Sequence, residues 1–277
     1  MSKAWERFAA SFEREAPTHV FALFRLLFVA SLLMYTTTLF HGRYVPEPRH
    51  RQLVSWLMMF ASWTSFIGLA TRLSTTIFAF AWGYLYLRWG VEARPEFAMQ
   101  DAFVLQGLCI LALSPAGRSL SVDRWWTVRR GGAQPQIGPV WTQGLGVACL
   151  SIMYAFVAVD MMGADWLGGF ELEHLLVARL GSSDALAAAP GIHHAVAVAV
   201  SWVMLLVVAG LSVGLWVPRW RWRVVGVGVA LHLSVWIFVG GWPHTLTVLC
   251  MYATVLPPKA VADFVETVLD PPPSKAG

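Results

Sequence analysis

Charge is what this chain has least of: Asp, Glu, Lys and Arg make up only 13% of its 277 residues, against roughly 25% in a soluble domain. A soluble globular fold is thereby excluded as the default. Cysteine is also scarce, and Cys109, Cys149 and Cys250 all lie inside apolar runs with no C-x-x-C spacing. That pattern argues against a disulfide framework, a zinc site or a redox pair and leaves buried packing residues. No Ser/Gly-rich or acidic tract divides the chain, so one domain is the economical reading. There is no H-E-x-x-H, no G-x-S-x-G and no glycine-rich phosphate loop, which removes the familiar metalloprotease, serine hydrolase and nucleotide-binding chemistries. Internal repeats of the transporter kind and matched broken spans are missing as well.

What is present is hydrophobic: 57% of the residues are apolar. With a span requirement of about 20 residues, relaxed to about 17, eight candidate spans emerge near 21–40, 53–71, 73–90, 101–115, 140–162, 195–217, 224–240 and 242–257. The second and fourth are the weakest. The expectation is an all-α integral membrane protein, about eight transmembrane helices in one bundle with interfacial helices. Residues 1–20 read as a cytoplasmic amphipathic lead-in, 21–257 as the membrane domain and 258–277 as a cytoplasmic tail. The first apolar run has no small-residue cleavage motif after it and reads as retained rather than as a removed signal peptide.

The arginines and lysines orient the spans. With eight crossings and the N-terminus inside, the inner segments hold Lys3, Arg7, Arg14, Arg72, Arg118, Arg124, Arg129, Arg130, Arg219, Arg221, Arg223, Lys259 and Lys275. The outer ends and loops hold Arg43, Arg49, Arg51, Arg88, Arg94 and Arg179. The positive-inside rule therefore favours both termini in the cytoplasm, and it accounts for the net charge of +4 without a nucleic-acid partner. The loop 119–130, with Trp125, Trp126 and its arginines, reads either as an interfacial segment on anionic lipid or as a solvated basic loop.

On this topology Asp101, Asp160 and Arg88 all fall toward the outer leaflet. An ionisable group in hydrocarbon costs about 2.5 to 3.5 kcal/mol even on the lenient scale, so each needs a partner, water or a task. The three form either one polar chamber or a structural Arg–Asp pair plus acids reaching the interface. His232 is either a hydrogen-bonded core histidine or a site residue, and Arg25 either snorkels or pairs structurally. His193 and His194 point to different sides of a helix, and a metal reading would have to recruit Glu171, Glu173 and His174. A solvated outer loop is the plainer reading, and no metal site is expected.

Four segments resemble a known family. T-H-V-F-A-L-F-R-L-L-F-V-A-S-L-L-M resembles the first span of the vitamin K-dependent gamma-carboxylase and its bacterial HTTM-domain relatives, with Arg25 at the characteristic arginine. Q-D-A-F-V-L-Q-G-L followed by L-S-P-A-G-R-S-L-S-V-D-R-W is similar to the family segment ending in Ser-Val-Asp, with Asp123 at the acid. Y-A-F-V-A-V-D-M-M-G-A-D-W-L-G-G-F resembles the stretch from Tyr to Ala-Asp-Trp, and L-H-L-S-V-W-I-F-V-G-G-W-P-H-T-L the late segment through His232, Gly240 and Pro243. The resemblance implies an active chamber open to the outer side, in a bacterial inner (plasma) membrane, with a quinone or hydroquinone as the implied cofactor.

It does not imply carboxylation here. In the carboxylases a lysine just before Ala-Asp-Trp takes the proton from reduced vitamin K, and the matching positions are Asp160 and Met161. Lys3, Lys259 and Lys275 are the only lysines in the chain, so no neighbouring helix replaces it. Met161 cannot accept a proton, and Asp160 would need its pKa raised well above about 4 by desolvation or a neighbouring acid. The large lumenal region of the carboxylases has no counterpart after the eighth run.

Two function classes follow. One is a non-carboxylating membrane enzyme with Asp160 or Asp101 as base and His232 or His174 as acid or orienter. Arg88, Asp165, Trp166, His174 and His244 would bind a lipophilic quinone or a small secreted peptide. The other is a non-enzymatic module that binds a lipid, a quinone or a partner membrane protein within the bilayer.

Overall fold

A computed structural model describes residues 14–41, 49–87, 95–133, 135–180, 190–238 and 242–269. The apolar runs become helices because a chain in hydrocarbon must satisfy its backbone groups internally. In order these are α1 (His19–His41), α2 (Arg49–Ile67), α3 (Thr71–Leu85), α4 (Pro95–Leu113), the short α5 (Val122–Arg129), α6 (Trp141–Asp160), α7 (Ala164–Leu167), α8 (Phe170–Leu180), α9 (Pro190–Gly214), α10 (Arg221–Phe238), α11 (Trp242–Met251) and α12 (Pro258–Leu269). Each of the eight sequence-read runs corresponds to a helix, α1 to α4, α6 and α9 to α11. Three helical stretches, Trp141–Asp160, His193–Gly214 and Pro218–Phe238, are long and apolar enough among the described residues to cross a membrane. The pair Thr245–Val255 and Pro258–Val268 passes the same test jointly but is bent by 101°, at Leu256-Pro257-Pro258, where proline cannot continue the helical ladder. Of the eight expected crossings, three or four meet this length and hydropathy requirement among the described residues; α3 has 15 residues, and α2 opens on Arg49, His50 and Arg51.

The chain divides into two compact units, residues 1–146 with 250–277, and residues 147–249. In the first, α1 packs on α2, α4 and α12, and α3 lies between α2 and α4. Phe21, Phe24, Phe28 and Leu32 bury one face of α1 at spacings of three and four, the period of one helix side. Gly107 of α4 faces Phe28 so closely that a side chain there would run into the ring. Between apolar helices in lipid, such close approach gives the packing energy that the hydrophobic effect does not supply. Sequence periodicity gave no sign of a two-stranded antiparallel ribbon, β1 (Glu15–Pro17) with β2 (Ile137–Pro139), in register Glu15↔Pro139 and Pro17↔Ile137. Residues 258–269, assigned above to a tail, form α12, whose Val261, Ala262 and Val265 are buried and which packs on α1 and β1.

In the second unit, α9 contacts α7, α8 and α10. The outward sides of α6, α9 and α10 expose Phe156, Val159, Leu206, Val213, Trp236 and Ile237. Apolar exposure on that scale belongs to a lipid-facing protein rather than to one in water.

Candidate functional site

Two polar clusters stand out, one in each unit. In the first, Arg25 is 0% exposed about two turns into α1, so the snorkelling alternative is excluded. Its guanidinium donates from NH1 to the carbonyl of Ala116 at 2.7 Å and from NH2 to the carbonyl of Leu120. These carbonyls belong to the turn between α4 and α5, where Leu120 has a left-handed φ of 48°. Gly68, at φ +72°, lies against the guanidinium, and a Cβ there would stand 2.8 Å from NH1. Asp123 completes the cluster. Its carboxylate accepts from the backbone N–H groups of Ala70 and Thr71 and from the Thr71 hydroxyl, each at 2.7 Å. Those are first-turn donors of α3 that have no partner within their own helix, so an acid of α5 caps α3. Ser121 meanwhile caps α5 itself, accepting from Arg124 N at 3.0 Å. The Ser-Val-Asp segment therefore caps two helices at once, and these bonds all go to the fold itself.

The second cluster has different chemistry. Along α6 the buried positions include Val147, Leu150, Ser151, Tyr154 and Ala158, one helical face with a phenol in its middle. The buried residues of α10 are Gly228 and His232, one turn apart, so His232 is the single large buried side chain of that helix. Tyr154 Oη and His232 Nε2 are 2.7 Å apart, with the rings tilted at 46° and 5.9 Å between centroids. They are 2% and 8% exposed. A buried hydroxyl needs a partner to offset its desolvation, and here the partner is itself an acid–base group. Nearer α9's other end, Trp216 Nε1 donates to Ser151 Oγ at 2.8 Å, and Ser151 Oγ donates to the carbonyl of Ser212 at 2.5 Å. These bonds fix α6 against α9.

The turn after α6 folds onto α9. Gly169 takes φ +78°, and a Cβ on it would lie 2.7 Å from Val198 N, so the Gly168-Gly169 step is required both for its conformation and for its closeness. Trp166 Nε1 donates to the carbonyl of Ser201 at 3.3 Å. One helical turn and more toward the start of α9, the Phe170 ring lies 5.1 Å from the His194 ring, and Glu173 Oε1 is 3.2 Å from His194 Nδ1. Among the described residues no group of three or more His, Cys, Asp or Glu side chains is placed to hold a metal ion.

The sequence candidates are distributed as follows. Asp160 ends α6 and is exposed, as are Asp165 and His174, while Trp166 is half-buried. Asp101 is half-buried on α4 in the first unit, whereas Asp160 and His232 belong to the second. Arg88 lies outside the described residues, and so does the side chain of His244 on α11. The burial that a membrane base calls for is found at His232, not at Asp160. Tyr154 was missed by the sequence reading. Its available signal was position: a lone phenol on the apolar stripe of α6, whose hydroxyl had to meet something.

A family model described as the HTTM domain matches residues 19–254, from the start of α1 to the turn that follows α11. This domain is found in vitamin K-dependent gamma-carboxylase-like proteins. No curated protein and no solved structure gives a match.

Proposed function

Because the chain belongs to the HTTM-domain family, we propose that it is a non-carboxylating membrane enzyme in which Tyr154 and His232 act on a lipophilic quinone or hydroquinone. The supporting observation is the buried 2.7 Å pair between these side chains. The pair supports proton exchange with a ring oxygen of the substrate: Tyr154 Oη takes the hydroquinone proton as it passes its own to His232 Nε2, leaving a hydroquinone anion and an imidazolium. Low local dielectric strengthens the Tyr154–His232 hydrogen bond. A quinone is favoured over a secreted peptide because the reactive groups are buried within apolar helices, whereas the polar residues a peptide would meet, Asp165 and His174, are exposed.

The positive-inside distribution favours eight crossings with cytoplasmic termini in a bacterial inner membrane, and on that topology Asp160, Asp165, Trp166 and His174 lie toward the outer side, where they would border the quinone's entry to the second unit. Strict carboxylation is disfavoured because Asp160 and Met161 occupy the lysine position and Lys259, the one lysine within the described residues, is exposed on α12. The exposure of Asp160 favours one second reading, in which the same pair binds the quinone without turning it over.

The test is extraction of purified protein with organic solvent and identification of co-purified quinone by mass spectrometry. The wild type is expected to carry one and His232→Gln to lose it while keeping its helical circular dichroism. A wild type that carries no quinone and binds none on addition refutes both readings.

A further inference from the structure

At the other end of α9, away from the Glu173–His194 contact, the hairpin of α9 and α10 forms a feature that the Tyr154–His232 pair does not use. The two helices meet tightly at Gly214, where a Cβ would stand 2.9 Å from Val224 Cγ2, and part at Gly210, where a Cβ would meet nothing within 4 Å. The gap is a cleft of about 320 Å³, lined by Val207, Gly210 and Leu211 of α9, by Val224 and Val227 of α10, and at its rim by Trp220 and Arg223. Its size lies at the lower end of the roughly 300 to 1,000 Å³ typical of ligand pockets.

Charge gives the cleft a polarity. The turn Pro-Arg-Trp-Arg-Trp-Arg, 218–223, carries Arg219, Arg221 and Arg223, and the sequence has no Asp or Glu between Asp184 and Asp263. The described acids of this unit, Asp160, Asp165, Glu171 and Glu173, lie on α6 to α8, and Glu173 meets α9 at His194. From His194 to Gly214 is about 30 Å along the helix at roughly 1.5 Å per residue, several times the Debye length of about 8 Å in physiological salt. Arg219 stands over the Trp220 ring at 5.3 Å, a contact that positions the cation without neutralising it. Trp220 and Trp222 are exposed, as expected of indoles at headgroup level.

From these observations we infer that the cleft is a binding site for a phospholipid with an anionic phosphodiester headgroup, of the phosphatidylglycerol class. One acyl chain lies between α9 and α10 over Gly210, and the phosphate meets Arg223 with Arg219 beside it. A zwitterionic headgroup offers its own cation next to the phosphate and gains less from the same arginines. The apolar lining accounts for a lipid rather than a free anion. The site depends only on these helices lying in a membrane, not on the quinone chemistry proposed above.

The full-length protein, reconstituted in nanodiscs of equal phosphatidylglycerol and phosphatidylcholine and then released for native mass spectrometry, reports which lipid stays bound. Wild type is expected to retain phosphatidylglycerol in preference. Arg223→Gln should lower that preference about fivefold, the fold-change for one arginine near an anionic lipid surface. Gly210→Leu places a side chain in open space, fills the cleft and should abolish retention of either lipid with unchanged helical content. Equal retention of the two lipids by wild type overturns the inference, as does unchanged phosphatidylglycerol retention in both variants. Displacement of the lipid by millimolar inorganic phosphate would also overturn it, since the headgroup alone would then be recognised and the cleft would be idle.

Discussion

The two polar clusters differ in what they leave available. Around Arg25 and Asp123 the polar contacts run to backbone carbonyls and helix-end N–H groups, and the backbone itself is bent into left-handed conformations at Gly68, Ala70 and Leu120 that cost non-glycine residues about 1–2 kcal/mol each. The charges there are used to hold turns. Around Tyr154 and His232 the contact is between two side chains capable of acid–base chemistry, which face one another inside an apolar unit. A buried charge is therefore a poor guide to reactivity in this protein. A buried pair of acid–base side chains in mutual contact is the better place to look.

The largest expected effect is in the first cluster. Arg25→Met should remove most folded protein, at about 1–3 kcal/mol for each of the two buried turn carbonyls that lose their donor; thermal unfolding in detergent measures it. Gly169→Val comes next, combining a β-branched residue at φ +78° with a Cβ 2.7 Å from Val198 N, and about 2–4 kcal/mol is expected from strain and overpacking. A fully folded variant would show that the turn after α6 is not seated on α9. Tyr154→Phe should cost only about 1–2 kcal/mol in stability while abolishing quinone retention. Equal retention by the variant would remove the relay. Asp160→Asn is expected to change folded yield by less than about 0.5 kcal/mol, as for an exposed position; a large drop in yield would make it a structural acid after all.

How much of this was legible follows from where each signal lies in the chain. Helix positions were legible because twenty-residue apolar runs have few alternatives in a bilayer. Arg25 was visible as an out-of-place charge, but its partners are carbonyls 91 and 95 residues away, and backbone acceptors leave no trace in a sequence. Asp123 was marked by the family resemblance, although nothing in its own neighbourhood indicated that it caps a helix beginning 52 residues earlier. The ribbon of Glu15–Pro17 is too short for a period-two pattern to register. His232 stood out as a titratable group in an apolar run. Tyr154 did not, since phenols are common in such runs and its partner lies 78 residues downstream.

The contrast between a structural cluster and a reactive pair is most directly tested by titrating a short-chain quinone, with tryptophan fluorescence as the readout, into folded fractions of wild type, His232→Gln and Asp123→Asn. The contrast predicts that His232→Gln weakens binding at least tenfold, whereas Asp123→Asn lowers the melting temperature and binds like wild type per folded molecule. Wild-type affinity in His232→Gln, together with lost affinity in folded Asp123→Asn, would contradict it.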